Sequence, residues 1–76
     1  MNKFHRQKTA QQLQQAVNNW NGAVSPGTEV TYRNDKGEFI LTKTRTLAEI
    51  LNGHTAVVWL DDVRGCVDLS RVSVAL

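Results

Sequence analysis

Seventy-six residues with a formal net charge of +2 make one domain, and the single cysteine, Cys66, excludes an intrachain disulfide. The only histidines, His5 and His54, come without a second cysteine or a paired metal-ligand spacing, so neither a metal nor another cofactor is expected. The longest apolar run, residues 55–60, has the length of a strand and falls well short of the ~20 residues of a membrane span.

A chain this short buries roughly 60% of its unfolded surface, so it needs an efficient core or a second copy of itself. Homo-oligomerisation is therefore one expectation. The lone cysteine and the lack of a signal peptide fit a reducing cytoplasm. Charge is unevenly spread. Residues 1–26 carry Lys3, Arg6 and Lys8 and no acid, whereas residues 27–76 carry six basic and seven acidic groups. A basic arm beside a near-neutral body can touch phosphate, or can simply solubilise the N-terminus.

Thr9-Ala10-Gln11-Gln12 has the form of a capping box, in which the Thr9 hydroxyl accepts from the Gln12 N–H and the Gln12 side chain reaches back. Ala10, Leu13, Val17 and Trp20 follow at helical spacing, and Gln11, Gln12, Gln15, Asn18 and Asn19 form the opposite face. The pattern predicts an amphipathic helix over 9–21, with Phe4 and His5 able to extend it and Gly22 as its left-handed stop. Ser25-Pro26-Gly27 is a turn, and it divides an N-terminal helical segment, 1–26, from a β-rich unit, 27–76.

Beyond that turn the period becomes two. Residues 29–33 predict a strand, Asn34-Asp35-Lys36-Gly37 a hairpin turn with Gly37 in the left-handed position, and residues 38–45 the returning strand. Thr46-Leu47-Ala48-Glu49 has the form of a second capping box and predicts a short helical turn through Leu51, closed by Asn52-Gly53. Residues 54–60 predict the most buried strand, 61–65 a turn, 66–69 a strand, 70–72 a 3₁₀ turn and 73–76 a closing strand. Five short strands in about fifty residues predict a mainly β (α+β) fold, with the helix packed on a small five-stranded barrel.

The stretch from Gly65 to Val74 resembles the end of Src-homology-like small barrels, where a glycine and an apolar strand lead into a 3₁₀ turn and a last short strand. That resemblance implies a fold and no function. The proline-peptide groove of those barrels is not matched, since the first hairpin loop has only four residues and no acidic-aromatic cluster.

A second resemblance covers most of the chain. Trp20-Asn21, Pro26-Gly27-Thr28, Val30, Tyr32-Arg33, Thr44-Arg45-Thr46, Ala48, Leu51, Gly53-His54, Val57-Val58, Gly65-Cys66, Leu69 and Val72 are similar to small, mostly uncharacterised proteins encoded by bacteriophages and prophages. It implies a phage accessory protein in the cytoplasm of a bacterial host and no specific activity; with the small size and the lack of a catalytic set, it leads to the expectation of non-catalytic binding. Counter-defence is the role that fits: inhibition of a host protein, or sequestration of a nucleotide signal. A nucleic-acid-binding small barrel is the alternative.

No catalytic constellation emerges. Cys66 with His54 or His5 has the residue types of a nucleophile and base, but Cys66 lies in an apolar strand, where cysteine is usually inert packing. Asp61-Asp62 reads as a solvated turn. The candidate binding residues are Arg33, Lys43, Thr44, Arg45, His54 and Trp59. Lys43-Thr44-Arg45-Thr46 can hold an anion, with Arg33 on the paired strand. The reading that weighs more is structural: strand threonines, a helix cap and edge charges. His54 either contacts a ligand or bonds the end of the preceding turn. Trp59 with Tyr32 or Arg45 can stack a base if its face is open, and is core if the helix covers it.

Overall fold

The structure, a computed structural model, describes residues 9–75. The basic residues Lys3, Arg6 and Lys8, the helix extension through Phe4 and His5, and Leu76 lie outside them.

Helix α1 spans Ala10–Ala23, with Thr9 as its N-cap. The capping box forms as the sequence dictates: the Gln12 N–H donates to Thr9 Oγ1 at 3.1 Å, and the Thr9 N–H donates to Gln12 Oε1 at 2.9 Å. Leu13 and Val17 are buried, and Trp20 packs against the core beside them, so the apolar stripe docks the helix onto the sheets. Gly22 is not a left-handed stop. The helix runs through it to Ala23, and the Val24 N–H closes the last turn onto the Trp20 carbonyl at 2.7 Å.

Six strands follow: β1 Glu29–Arg33, β2 Phe39–Lys43, β3 Glu49–Leu51, β4 Thr55–Trp59, β5 Cys66–Asp68 and β6 Val72–Val74. A 3₁₀ turn, Leu69–Arg71, carries the chain from β5 to β6, with Asp68 accepting from the Ser70 N–H at its start. The strands form two antiparallel three-stranded sheets, ordered β2-β1-β6 and β3-β4-β5.

This corrects the expected five-stranded barrel, which is not closed. The sheets are stitched at one corner by the Thr44–Leu60 bridge. Two backbone bonds flank it, Arg45 N–H to the Trp59 carbonyl at 2.8 Å and Asp61 N–H to the Lys43 carbonyl at 2.9 Å. At the opposite side the 3₁₀ turn replaces a ladder. Strands β3, β5 and β6 have three residues each, and β5 and β6 do not pair with each other. The helix covers what closure would have covered: Leu13 and Val17 share one core with Val30, Ala48, Ala56, Val58, Leu60, Val67, Leu69 and Val72.

The second correction concerns residues 46–51, which form a bend and then β3 instead of a helical turn. Thr46 does not cap: its hydroxyl donates to the Leu47 carbonyl at 2.8 Å. The Ala48 N–H is taken by Asn21 Oδ1 at 2.8 Å, and the Ala48 carbonyl by Asn21 Nδ2 at 3.0 Å. A helix would need both groups for its own ladder. Asn52-Gly53 is correspondingly a hairpin turn between β3 and β4. Both residues have positive φ (54° and 74°), as a type I′ turn requires, and the His54 N–H closes the turn onto the Leu51 carbonyl at 3.1 Å.

Candidate functional site

Alternation along β4 decides where Trp59 points. Ala56 and Val58 face the core shared with the helix, as does Leu60 just beyond the strand. Thr55, Val57 and Trp59 therefore emerge on the other face. Val57 is buried on that face, while Trp59 is half-buried beside a cleft that no helix residue lines.

Those neighbours build a cleft. The Arg45 N–H bonds the Trp59 carbonyl, so the two side chains stand side by side on the outer face. Cys66 is the register partner of Trp59 on the other side. Glu49 pairs with Val57 and so joins the same face. Thr46 Oγ1 accepts a long bond, 3.4 Å, from the Trp59 N–H. Arg45, Thr46, Glu49 and Trp59 line an open cleft of about 470 Å³. The site offers an indole face, a guanidinium, a carboxylate and a hydroxyl within one shallow depression. Among the described residues the ion pair formed is Arg71 Nη1 with Asp35 Oδ1 at 2.8 Å, so Arg45 and Glu49 do not neutralise each other.

Of the six residues singled out in the sequence, the structure brings Arg45 and Trp59 together. Lys43 lies two residues before Arg45, opposite Glu29 and exposed. Arg33 is at the far end of that sheet, opposite Phe39. His54 is exposed in the β3–β4 turn, at the other end of β4 from Trp59. Thr44 is structural. It is 2% exposed, and its Oγ1 accepts from the N–H groups of Gly27 at 3.1 Å and Thr28 at 3.3 Å while donating to the Ser25 carbonyl at 3.1 Å. It ties the 25–28 turn to the end of β2 and is unavailable to a ligand.

Tyr32 does not join Trp59. It lines a separate polar cleft of about 420 Å³ with Asp35, Arg64, Cys66 and Arg71. A third cleft, of about 410 Å³, lies between the helix and β4 around Leu13, Ala16, Ala56 and Leu69. Cys66 and His54 do not pair. Cys66 sits beside Trp59, while His54 precedes Thr55, so the length of β4 separates them by about 15 Å. Among the described residues no three His, Cys, Asp or Glu side chains gather where they could hold a metal ion. Nor is any helix of the described residues long and apolar enough to cross a membrane.

Glu49 is the member of the cleft that the sequence reading did not select, whereas Thr46 belonged to the stretch read as able to hold an anion. The signal existed: Glu49 follows Arg45 by four residues, and reading 49–51 as a strand places it on the Trp59 face. Comparison with protein families, curated proteins and solved structures returned no match.

Proposed function

We propose that this protein works by non-catalytic binding, and that the cleft between β3 and β4 takes a single nucleotide-type ligand. The observation that carries this reading is the outward-facing Trp59 flanked by Arg45 and Glu49, which form no ion pair among the described residues. An indole face accepts a base by stacking, worth about 1–3 kcal/mol per base. The Arg45 guanidinium suits a phosphate oxygen. The Glu49 carboxylate accepts from the N–H groups on the edge of a base.

Nucleic-acid strands fit less well. A strand needs a basic track along its backbone, and this cleft combines one arginine with one carboxylate. A small ligand needs no such track. The resemblance to phage-encoded proteins supplies the setting: an accessory protein in the host cytoplasm that withholds a nucleotide signal from a defence system.

Isothermal titration against a panel of mono- and dinucleotides tests the reading. The expected result is saturable binding to at least one of them, weakened about tenfold by Trp59→Ala and by Arg45→Ala. Absence of binding across the panel, or binding indifferent to both substitutions, rejects it.

A further inference from the structure

We infer that β2 is a self-association edge, through which two copies of this chain join their β2-β1-β6 sheets into one six-stranded sheet. The argument begins with the backbone. In the β1–β2 ladder, the Asn34 N–H donates to the Glu38 carbonyl and the Thr44 N–H to the Thr28 carbonyl. Residues 38 and 44 therefore face β1, and by antiparallel alternation so do Ile40 and Thr42. Phe39, Leu41 and Lys43 turn their N–H and C=O groups away from β1. Lys43 spends its carbonyl on the Asp61 N–H, which occupies that end of the edge. Phe39 and Leu41 are left with both backbone groups directed outward on a strand that has no neighbouring strand on that side among the described residues.

The side chains agree. Phe39 is 72% and Leu41 66% exposed, on the outer face of the sheet, and Ile40 is 38% exposed on the inner face. Edge strands normally carry a charge, a proline or a bulge that repels a second strand. Residues 39–42 carry none of these, and each pairs with β1 in unbroken register. Of the other edges, β3 bears Glu49 and β5 bears Asp68, while β6, Val72–Val74, is uncharged but only three residues long.

The strand is also complementary to itself. Antiparallel pairing centred on Ile40 sets Phe39 opposite Leu41 of the second copy, and Leu41 opposite its Phe39. Both pairs exchange two backbone bonds, four in all. The outer face becomes a cluster of two phenylalanines and two leucines. Ile40 meets Ile40 on the inner face, Glu38 meets Thr42, and no like charges stand opposite each other. The contact is smaller than the roughly 800 Å² per partner of a standard interface, so the dimer forms with rising concentration and does not persist on dilution.

Sedimentation equilibrium of the wild-type protein from about 10 μM to about 1 mM is the first test. The average mass should climb from the 8.5 kDa of one chain toward twice that value. Leu41→Lys and Phe39→Lys, each checked for an unchanged circular dichroism spectrum, should hold 8.5 kDa throughout. A wild-type mass fixed at that of the monomer overturns the proposal, as does a dimer that survives in both variants. Cross-linking then tests the register in a Cys66→Ala background. Ile40→Cys should oxidise to a covalent dimer, because a non-hydrogen-bonded pair sets its Cα atoms about 4.5 Å apart. Leu41→Cys, on a diagonal of about 7–8 Å, should yield at least tenfold less. The reverse preference contradicts the pairing. Nucleotide binding is not required for either result.

Discussion

The Asn21 carboxamide brackets Ala48, donating to its carbonyl at 3.0 Å and accepting from its N–H at 2.8 Å across 27 residues of sequence. A side chain at the end of the helix thereby satisfies both backbone groups of a residue leading into β3. It supplies two bonds where a neighbouring strand would otherwise have to lie, and only one orientation of the amide meets both. Asn21→Ala leaves a part-buried donor and acceptor without partners and should cost about 2 kcal/mol. Asn21→Asp keeps the acceptor, loses the donor, and should fall between. Urea unfolding gives both values. Gln14→Ala, which breaks an exposed bond to Asn18 on the same helix, should cost far less.

Thr44→Val replaces a buried hydroxyl by a methyl of the same shape. It creates no cavity, but it strips the Gly27 and Thr28 N–H groups and the Ser25 carbonyl of side-chain bonds. Each of these groups keeps a second partner, so a loss of about 0.5–1.5 kcal/mol is expected, with Thr44→Ser close to wild type. Thermal unfolding by circular dichroism checks the pair. If valine is neutral, the 25–28 turn is held by other contacts.

Two glycines should respond in opposite directions. Gly22 lies within the helix, has ordinary negative φ, and a Cβ there meets nothing within 4 Å. Gly22→Ala should stabilise by about 0.5–1 kcal/mol. Gly53 has equal room but a φ of 74° in the β3–β4 turn, so Gly53→Ala should destabilise by about 1–2 kcal/mol. Denaturant midpoints at equal m-values measure both.

What could be read from the sequence follows from the range of the forces involved. The Thr9–Gln12 capping box, the Leu13/Val17/Trp20 stripe, β1 and the Gly37 turn are set by neighbours within four residues, and all are as the pattern dictates. Residues 46–51 are not, because Thr46 and Glu49 satisfy a local capping rule that a distant residue, Asn21, overrides. Asn52-Gly53 was legible as a hairpin signal, but beside an apparent helix it reads as a helix stop. The same error hid Glu49: on a helical turn it is a capping residue, and on β3 it faces the cleft. The open barrel was illegible for a different reason. Whether a sheet closes depends on ladder bonds between strands far apart in sequence, and strand pattern alone does not report them.

The cleft should separate binding from stability. Arg45 and Glu49 are at least partly solvated, and neither is paired with the other. Arg45→Ala and Glu49→Gln should therefore change the unfolding free energy by no more than about 0.5 kcal/mol. Arg45→Ala should also flatten the salt dependence of nucleotide affinity, since it removes the guanidinium assigned to phosphate. Titrations at two ionic strengths reveal this.

The two tryptophans offer the most direct test of the central claim. Trp59 faces the cleft, whereas the Trp20 Nε1–H is buried between the helix and the core without a hydrogen-bond partner among the described residues. In a ¹H–¹⁵N spectrum each gives one indole signal, assignable with Trp59→Phe. Titrating nucleotides should move the Trp59 indole signal together with the Arg45 and Glu49 amides and leave the Trp20 indole in place. A Trp59 signal that stays fixed throughout the titration, or a response centred on Trp20, would contradict the assignment of this cleft as the binding site.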